Sequence, residues 1–351
     1  MKVLHYLGYP LAWAKGGHTV QIMRTLEALE RQGVVNAWLD PARLEAQTAD
    51  VLHYWTRPPG DFHWQLARRQ GFKLVISELH AVGAMRPRWQ WPLRRWLAQG
   101  LRCGLGANLY GAFGAGIYPA CDAAVAVTPA EAAYMRIVFG APAEKTCCIP
   151  NGVDDVFFDQ TIQPEPFAGL LYIGYICERK NSVAVARAAR QALVPVKFVG
   201  GAPFGAHDSY VDEFKSLVDG RAVLWTGEVQ QRERLAAMIR GAQGVLLASR
   251  SEASPLSILE ALACRRPVLV SALRNLRAYY GSAICFCHQP DHPAFIGELQ
   301  AFRTQCQNGL RQQVNVSRWT DVGLEYARIY QKITAGAAAA DQAAQKRAPL
   351  L

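Results

Sequence analysis

SRSEASPLSILEALACRRPVLVS, residues 249–271, is the stretch from which the rest of the chain is read. It sets Glu252 and Glu260 with seven residues between them, on a loop that runs into a helix. The spacing predicts that Ser254 caps this helix through its hydroxyl. Pro255 then takes the first helical position, where its missing N–H would be unpaired in any case. Glu252 falls in the loop, and Glu260 a turn and a half inside the helix. The unpaired backbone N–H groups of residues 254–257, those of Leu256 and Ser257 among them, face whatever precedes the helix and make an anion site. Two carboxylates around such an end suit a nucleotide-sugar: carboxylates accept from sugar and ribose hydroxyls, while the helix end faces a diphosphate. An ordinary amphipathic helix before a buried strand also fits the apolar spacing of Leu256, Leu259 and Ala263.

Outward from this stretch, apolar runs alternate with helical patterns along the whole chain, as in parallel sheets covered on both faces. In the first half the runs at 3–7, 34–39, 51–55, 73–77 and 123–127 read as buried strands. In the second half those at 170–174, 196–200, 222–227, 244–249 and 267–271 repeat the theme. Between the halves, IPNGVDDVFF at 149–158 reads as a turn and linker. The first strand leads to Gly16-Gly17, which opens a helix carrying Val20, Ile22, Met23, Leu26 and Leu29. A glycine pair there lets the backbone approach a diphosphate, although a plain turn has the same composition. His80 follows the strand at 73–77, at the carboxyl end where open parallel sheets bind ligands. A buried histidine bonded to backbone fits that position too.

The chain has 351 residues, 51% of them apolar, which suits two domains with a core each. Its nine cysteines are odd in number and scattered, as free thiols in a reducing cytoplasm would be. The start MKVLHYLGYP reads as a strand and not as a leader. Cys285, Cys287, His288 and His292 match no common zinc spacing, and Pro290 and Pro293 forbid a helix that would gather the histidines. Residues 103–121 carry no charge, but their glycines, Asn108 and Pro119 fit a packed helix before the strand at 123–127 better than a membrane span.

The 249–271 stretch resembles the signature of the retaining glycosyltransferases of family 4. The match runs through Glu252, Pro255, Leu256, Glu260, Ala263, Cys264, Pro267 and Val268. Where that family has glycine, this chain has Arg265, at a helix end that favours the left-handed conformation; the cost there is about 1 kcal/mol. The likeness extends to about residue 333. IPNGVDDVFF resembles the family's interdomain junction. LLYIGYICERKN resembles the first strand of its donor domain, with Gly174 and the diphosphate lysine at Lys180. SRWTDVGLEYARIYQKI, 317–333, resembles its last helix. The resemblance implies an α/β, GT-B fold, with two Rossmann-like parallel-sheet domains facing a cleft. The implied parts are an acceptor domain at 1–150, a donor domain at 151–315 and a helix at 316–333 that crosses back; the low-complexity composition of AGAAAADQAAQKRAPLL reads as a disordered tail, 334–351.

The same resemblance implies metal-independent transfer of a sugar, with retention, from a UDP- or GDP-sugar to the hydroxyl of a saccharide or lipid-linked acceptor. No Asp-x-Asp occurs in the chain, and no cofactor is expected because the nucleotide-sugar is a substrate. Glu260 is implied to bind the ribose, Glu252 the transferred sugar and Lys180 the diphosphate, with His80 near the reacting centre. The family's arginine after Gly174 is Tyr175 here. A hydroxyl supplies no cation, and charge-assisted bonds are about twice as strong as neutral ones; Arg179 and Arg250 are the candidates to compensate from nearby. A non-catalytic scaffold homologue and a sugar-nucleotide epimerase share these motifs.

The net charge is +10, and its distribution says more than its sum. RPRWQWPLRRWLAQGLR, 86–102, interleaves Arg86, Arg88, Arg94, Arg95 and Arg102 with three tryptophans, and Leu93, Leu97 and Leu101 form a helical stripe. This composition fits a contact with the inner face of an anionic membrane, and it also fits a solvated arginine face on a packed helix. Without an accompanying nucleic-acid-binding motif, the charge does not point to nucleic acid.

Overall fold

The computed structural model describes residues 1–11, 16–103, 114–202 and 209–345. The chain forms two compact units, Met1–Asn151 with the chain from Trp319 onward, and Gly152–Arg318.

In the first unit, β1 (Lys2–Tyr6), β2 (Val35–Trp38), β3 (Val51–Tyr54), β4 (Lys73–Ile76), β5 (Ala123–Ala126) and β6 (Thr146–Cys148) form one sheet in the order β2-β1-β3-β4-β5-β6. Every neighbouring pair is parallel. β3 and β5 are buried at every residue, which is why they read as continuous apolar runs and not as alternating ones. The helix Gly17–Arg31 lies against the helix Trp319–Gln345 so closely that a Cβ on Gly323 would sit 2.6 Å from Ala28 Cβ. Tyr326 and Tyr330 of that last helix reach the sheet: Tyr330 Oη is 2.7 Å from His53 Nδ1, and Tyr326 Oη is 3.2 Å from Ser77 Oγ.

In the second unit, β7 (Phe167–Ile173), β8 (Val196–Val199), β9 (Val223–Trp225), β10 (Ala242–Leu247), β11 (Val268–Ser271) and β12 (Cys285–Cys287) take the order β12-β11-β10-β7-β8-β9. These pairs are again parallel. The chain winds from β7 outward through β8 to β9, then returns to the other side of β7 and winds outward through β11 to β12. Its winding direction reverses between β7 and β10. Loops leaving the carboxyl ends of strands at such a reversal part to opposite faces and leave a crevice for ligand.

The expected α/β architecture of two parallel sheets is therefore present. All ten strands read from apolar runs exist, and β6 and β12 add one short strand to an edge of each sheet. β12 is the strand that the alternation of Cys285 with Cys287 suggests, and β6, TCC, is not among the apolar runs read as strands. The segment expected to be a disordered tail, 334–351, is helical through Gln345, because its run of alanines consists of the strongest helix formers; residues 346–351 lie outside the described residues. Of the expected packed helix within 103–121, the described part is the turn Ile117–Ala120, and residues 104–113 lie outside.

Arg265 has φ 59°, the left-handed conformation expected at that helix end. The strain of a non-glycine residue there is about 1–2 kcal/mol, of which glycine would return about 0.4–1 through its freer unfolded chain. Arg265→Gly is thus expected to raise the melting temperature by about 2 °C. An unchanged or lowered transition in a thermal melt would contradict the strain.

Candidate functional site

At the reversal of the second sheet, the loop after β7 meets the loop after β10. Gly174 ends β7 with φ 155°, and a Cβ there would lie 3.4 Å from Cε of Lys180. A Cβ at that distance would make an ordinary contact, so what calls for glycine here is the φ itself. Lys180 Nζ donates to Glu252 Oε1 at 2.6 Å, and Arg179 Nη1 donates to the same oxygen at 3.2 Å. Glu252 is 8% exposed and Lys180 9%. Burial by itself would raise the Glu252 pKa, but Lys180 and Arg179 outweigh it and hold the carboxyl below its usual range. An ammonium has three donors, so Lys180 keeps two for a further anion.

The residues on either side fix this pair. Asn181 takes a left-handed φ of 58° and donates through Nδ2 to Ala248 O at 2.8 Å, which ties the two loops together. Its Oδ1 accepts from Arg250 Nε at 2.7 Å. Asn275 Nδ2 donates to the backbone oxygen of Glu252 at 2.7 Å. Of the two arginines considered as substitutes for the one missing after Gly174, Arg250 is thus occupied by Asn181, while Arg179 leans on Glu252 with half its side chain exposed. Tyr175 is half-buried, and its phenol is pushed up in pKa by desolvation and by Glu228 nearby.

The helix after this loop is Leu256–Ala263, and its N-cap is Pro255, not Ser254. Pro255 has ψ 118°, outside the helix, and its carbonyl accepts from Ile258 and Leu259 N–H at 3.2 and 3.4 Å. The helix starts one residue later than the spacing suggests, because Pro255 itself keeps an extended ψ and takes the cap position, where a proline has no side-chain oxygen to make a cap bond. The N–H groups without a helical partner narrow to those of Leu256 and Ser257. Glu260, one turn on, is 4% exposed, and Arg232 Nη2 donates to its Oε1 at 2.6 Å. Burial raises the Glu260 pKa against the pull of that guanidinium. Arg232 in turn donates through Nε to Asp154 Oδ2 at 2.9 Å and lies 4.6 Å over the Phe157 ring.

Sequence reasoning did not single out Arg232 or Asp154. In sequence Arg232 is one charge in QQRERL at a helix start, and nothing local marks its partner. The glycines closing β7, β8 and β9 did leave a trace, since each of those runs, as read, ends on glycine. A Cβ on Gly200 would meet Gly174 O at 2.0 Å, so these backbones touch.

In the first unit, Gly16 is the N-cap of the helix Gly17–Arg31. Its backbone is extended and a Cβ there would meet nothing within 4 Å, so the protein by itself does not require glycine. His80 is 8% exposed and sits in a polar network at the end of β4. Its Nε2 is 2.6 Å from Tyr118 Oη, Tyr118 donates to Glu78 Oε2 at 2.6 Å, and Arg57 Nε donates to Glu78 Oε1 at 2.9 Å. The His80 backbone N–H donates to Glu131 Oε1 at 2.7 Å. Burial lowers the His80 pKa to about 4, so its ring is neutral at pH 7. Glu131 forms a capping box with Thr128, and its burial raises it to about 7. A cavity of about 530 Å³ opens at the ends of β1 and β2, lined by Tyr6, Tyr9, Pro10 and Trp38 among others.

In the arginine-rich segment, Trp91 is 1% exposed and packs edge-on against Tyr134 with centroids 5.4 Å apart. Val82, Trp89, Leu93 and Trp96 are 51–73% exposed. The side chains of Leu97, Leu101 and Arg102 lie outside the described residues. Among the described residues no helix is long and apolar enough to cross a membrane, and no three His, Cys, Asp or Glu are grouped to hold a metal ion. His288 is instead paired with Glu298 at 2.6 Å.

Two family descriptions match the chain: Glycosyltransferase Family 4 over residues 14–157, and Glycosyl transferases group 1 over residues 168–305. A D-inositol 3-phosphate glycosyltransferase of Kineococcus radiotolerans is 28% identical over 247 residues, 64% of this chain. The match spans 54% of that relative's length. Among solved structures, the sucrose-phosphate synthase of Thermosynechococcus elongatus superposes with a TM-score of 0.66 at 17% identity, over 95% of this chain and 99% of the other. Anabaena HepE, crystallised with UDP and glucose, gives 0.61 at 14% identity, over 95% and 100%. WaaG, a glycosyltransferase involved in lipopolysaccharide biosynthesis, gives 0.59 at 15%, over 96% and 98%.

Removing one member of the Lys180–Glu252 pair leaves the other charge buried, which costs about 3–5 kcal/mol. Lys180→Met and Glu252→Gln are each expected to destabilise the second unit in denaturant titrations, and the double variant to cost clearly less than their sum. Additive losses would mean the two charges do not depend on each other.

Proposed function

We propose, on the premise that this chain belongs to glycosyltransferase family 4 and has the GT-B fold, that it moves a sugar from a UDP- or GDP-sugar to an acceptor hydroxyl. The observation that carries this reading is the buried Lys180–Glu252 pair at the sheet reversal, beside the helix end of Leu256 and Ser257 and one turn from Glu260. In this proposal the donor's diphosphate lies between Lys180 and the free N–H groups of Leu256 and Ser257. These groups meet the negative charge that develops as the bond to the transferred sugar breaks. Glu252, held ionised, accepts from hydroxyls of that sugar, and the ribose hydroxyls donate to Glu260. Arg179 supplies the second cation that Tyr175 cannot. Transfer proceeds without a metal ion and with retention of configuration, both by family likeness. UDP is favoured as the nucleotide by the complexes of HepE with UDP and with UDP-glucose.

The acceptor reading belongs to the first unit, where the aromatic-lined cavity at β1 and β2 suits a saccharide ring. By the same likeness Gly16, Gly17 and His80 belong to that unit's substrate face. Neutral His80 hydrogen-bonds there without adding charge. The exposed Trp89, Leu93 and Trp96 beside Arg94 and Arg95 support a peripheral contact with an anionic membrane surface, where a lipid-linked acceptor would be presented.

Incubation with radiolabelled UDP- and GDP-sugars in excess EDTA is expected to show transfer or slow donor hydrolysis, and Glu260→Ala to weaken nucleotide binding by about tenfold. Isomerisation of the donor without transfer would mark an epimerase. No consumption of any donor, together with unchanged nucleotide affinity in Glu260→Ala, would end the proposal. For the membrane contact, Arg94→Glu/Arg95→Glu is expected to sediment less with phosphatidylglycerol-containing liposomes. Equal partitioning would remove that part.

A further inference from the structure

Glu260 is buried on the helix Leu256–Ala263, and it does not stand alone. Arg232, the first residue of the helix Arg232–Gly241, binds one of its oxygens at 2.6 Å. The guanidinium is gripped from the other side by the 154–157 turn, with Asp154 at 2.9 Å on Nε and the Phe157 ring 4.6 Å beneath it. A planar, forked cation between two carboxylates and an aromatic face has little freedom to turn. One Glu260 oxygen is therefore committed, and the other is left to accept from a ligand.

Resting on the reading of Glu260 as the ribose carboxylate, we propose that Arg232 is a positioning residue for the donor nucleotide. It fixes the Glu260 carboxylate and is itself anchored by Asp154 and Phe157. It touches no reacting atom; its effect reaches the ligand through Glu260. The groups that act on Glu260 are Arg232 from its own helix start, Asp154 from the turn, and Cys264 one turn further along the same helix. Arg232 is the only cation among these three. Without it, burial and Asp154 both favour the protonated acid, which accepts less well from ribose. Affinity is then lost at lower pH and regained as pH rises and the carboxylate returns.

The test measures Kd for UDP and for GDP by calorimetry between pH 6 and pH 9, for wild type, Arg232→Gln, Arg232→Lys and Glu260→Ala, with thermal melts to show that each variant is folded. Arg232→Gln keeps hydrogen-bonding capacity without charge. It is expected to bind the preferred nucleotide about tenfold more weakly than wild type at pH 7, with the deficit shrinking at pH 9. Arg232→Lys, which keeps the charge but neither the fork nor the stacking and serves if the glutamine variant is unstable, is expected to bind more weakly than wild type by a factor that stays the same from pH 6 to pH 9. A deficit in Arg232→Gln that does not change with pH, or no deficit, overturns the inference. If Glu260→Ala weakens binding while Arg232→Gln does not, the inference fails and the donor site stands. Wild-type protein that binds neither nucleotide removes the donor site, and the inference with it.

Discussion

A carboxylate and an ammonium buried together must find each other, because either one alone in that place costs several kcal/mol. Glu252 and Lys180 satisfy that demand across the loops after β10 and β7, 2.6 Å apart, and the rest of the second unit's chemistry follows from their meeting. Gly174 takes a φ of 155° that a residue with a Cβ rarely adopts. Asn181 has to take a left-handed turn to bond the end of β10. The sheet's reversal brings two loops side by side, and the ion pair makes that proximity specific.

The first unit works with a different kind of polarity. Its buried groups pair as neutral partners: His53 with Tyr330 and Ser77, His63 with Tyr54, His80 with Tyr118. Burial lowers the pKa of each of these histidines, and that of His5 to about 4. On the proposed reading, the Lys180–Glu252 pair of the second unit suits a phosphate, and the aromatic cavity and neutral histidines of the first, with the Arg57–Glu78 ion pair beside His80, suit a sugar.

How much of this was legible depended on the range of the interaction concerned. Apolar runs declare ten strands, including the partly exposed β2 and the three-residue β9, and the alternation of Cys285 with Cys287 points to β12, while β6 carries no such sign. The Glu252-to-Glu260 spacing is local and could be read directly. The spacing places the cap of the following helix one residue early, because it does not show that Pro255 keeps an extended ψ and stands at the cap itself. Arg232 and Asp154 lie 78 positions apart, and no local pattern joins them. The alanine-rich end from 334 has a low-complexity composition that suggests disorder, yet alanine is the residue that favours helix most, and the helix runs to Gln345.

The last helix carries a consequence for how the molecule is made. Residues 152–318 are contiguous, and that unit has all its strands once the ribosome has passed β12. The first unit, though begun earlier, is missing Tyr326 and Tyr330 until the chain beyond Trp319 has emerged. Until then His53 and Ser77 lack the hydroxyls that they bond in the finished protein, and the Ala28 face of the Gly17–Arg31 helix lies open. The half synthesised first is therefore completed last, and it is the nascent half with most need of shelter from aggregation.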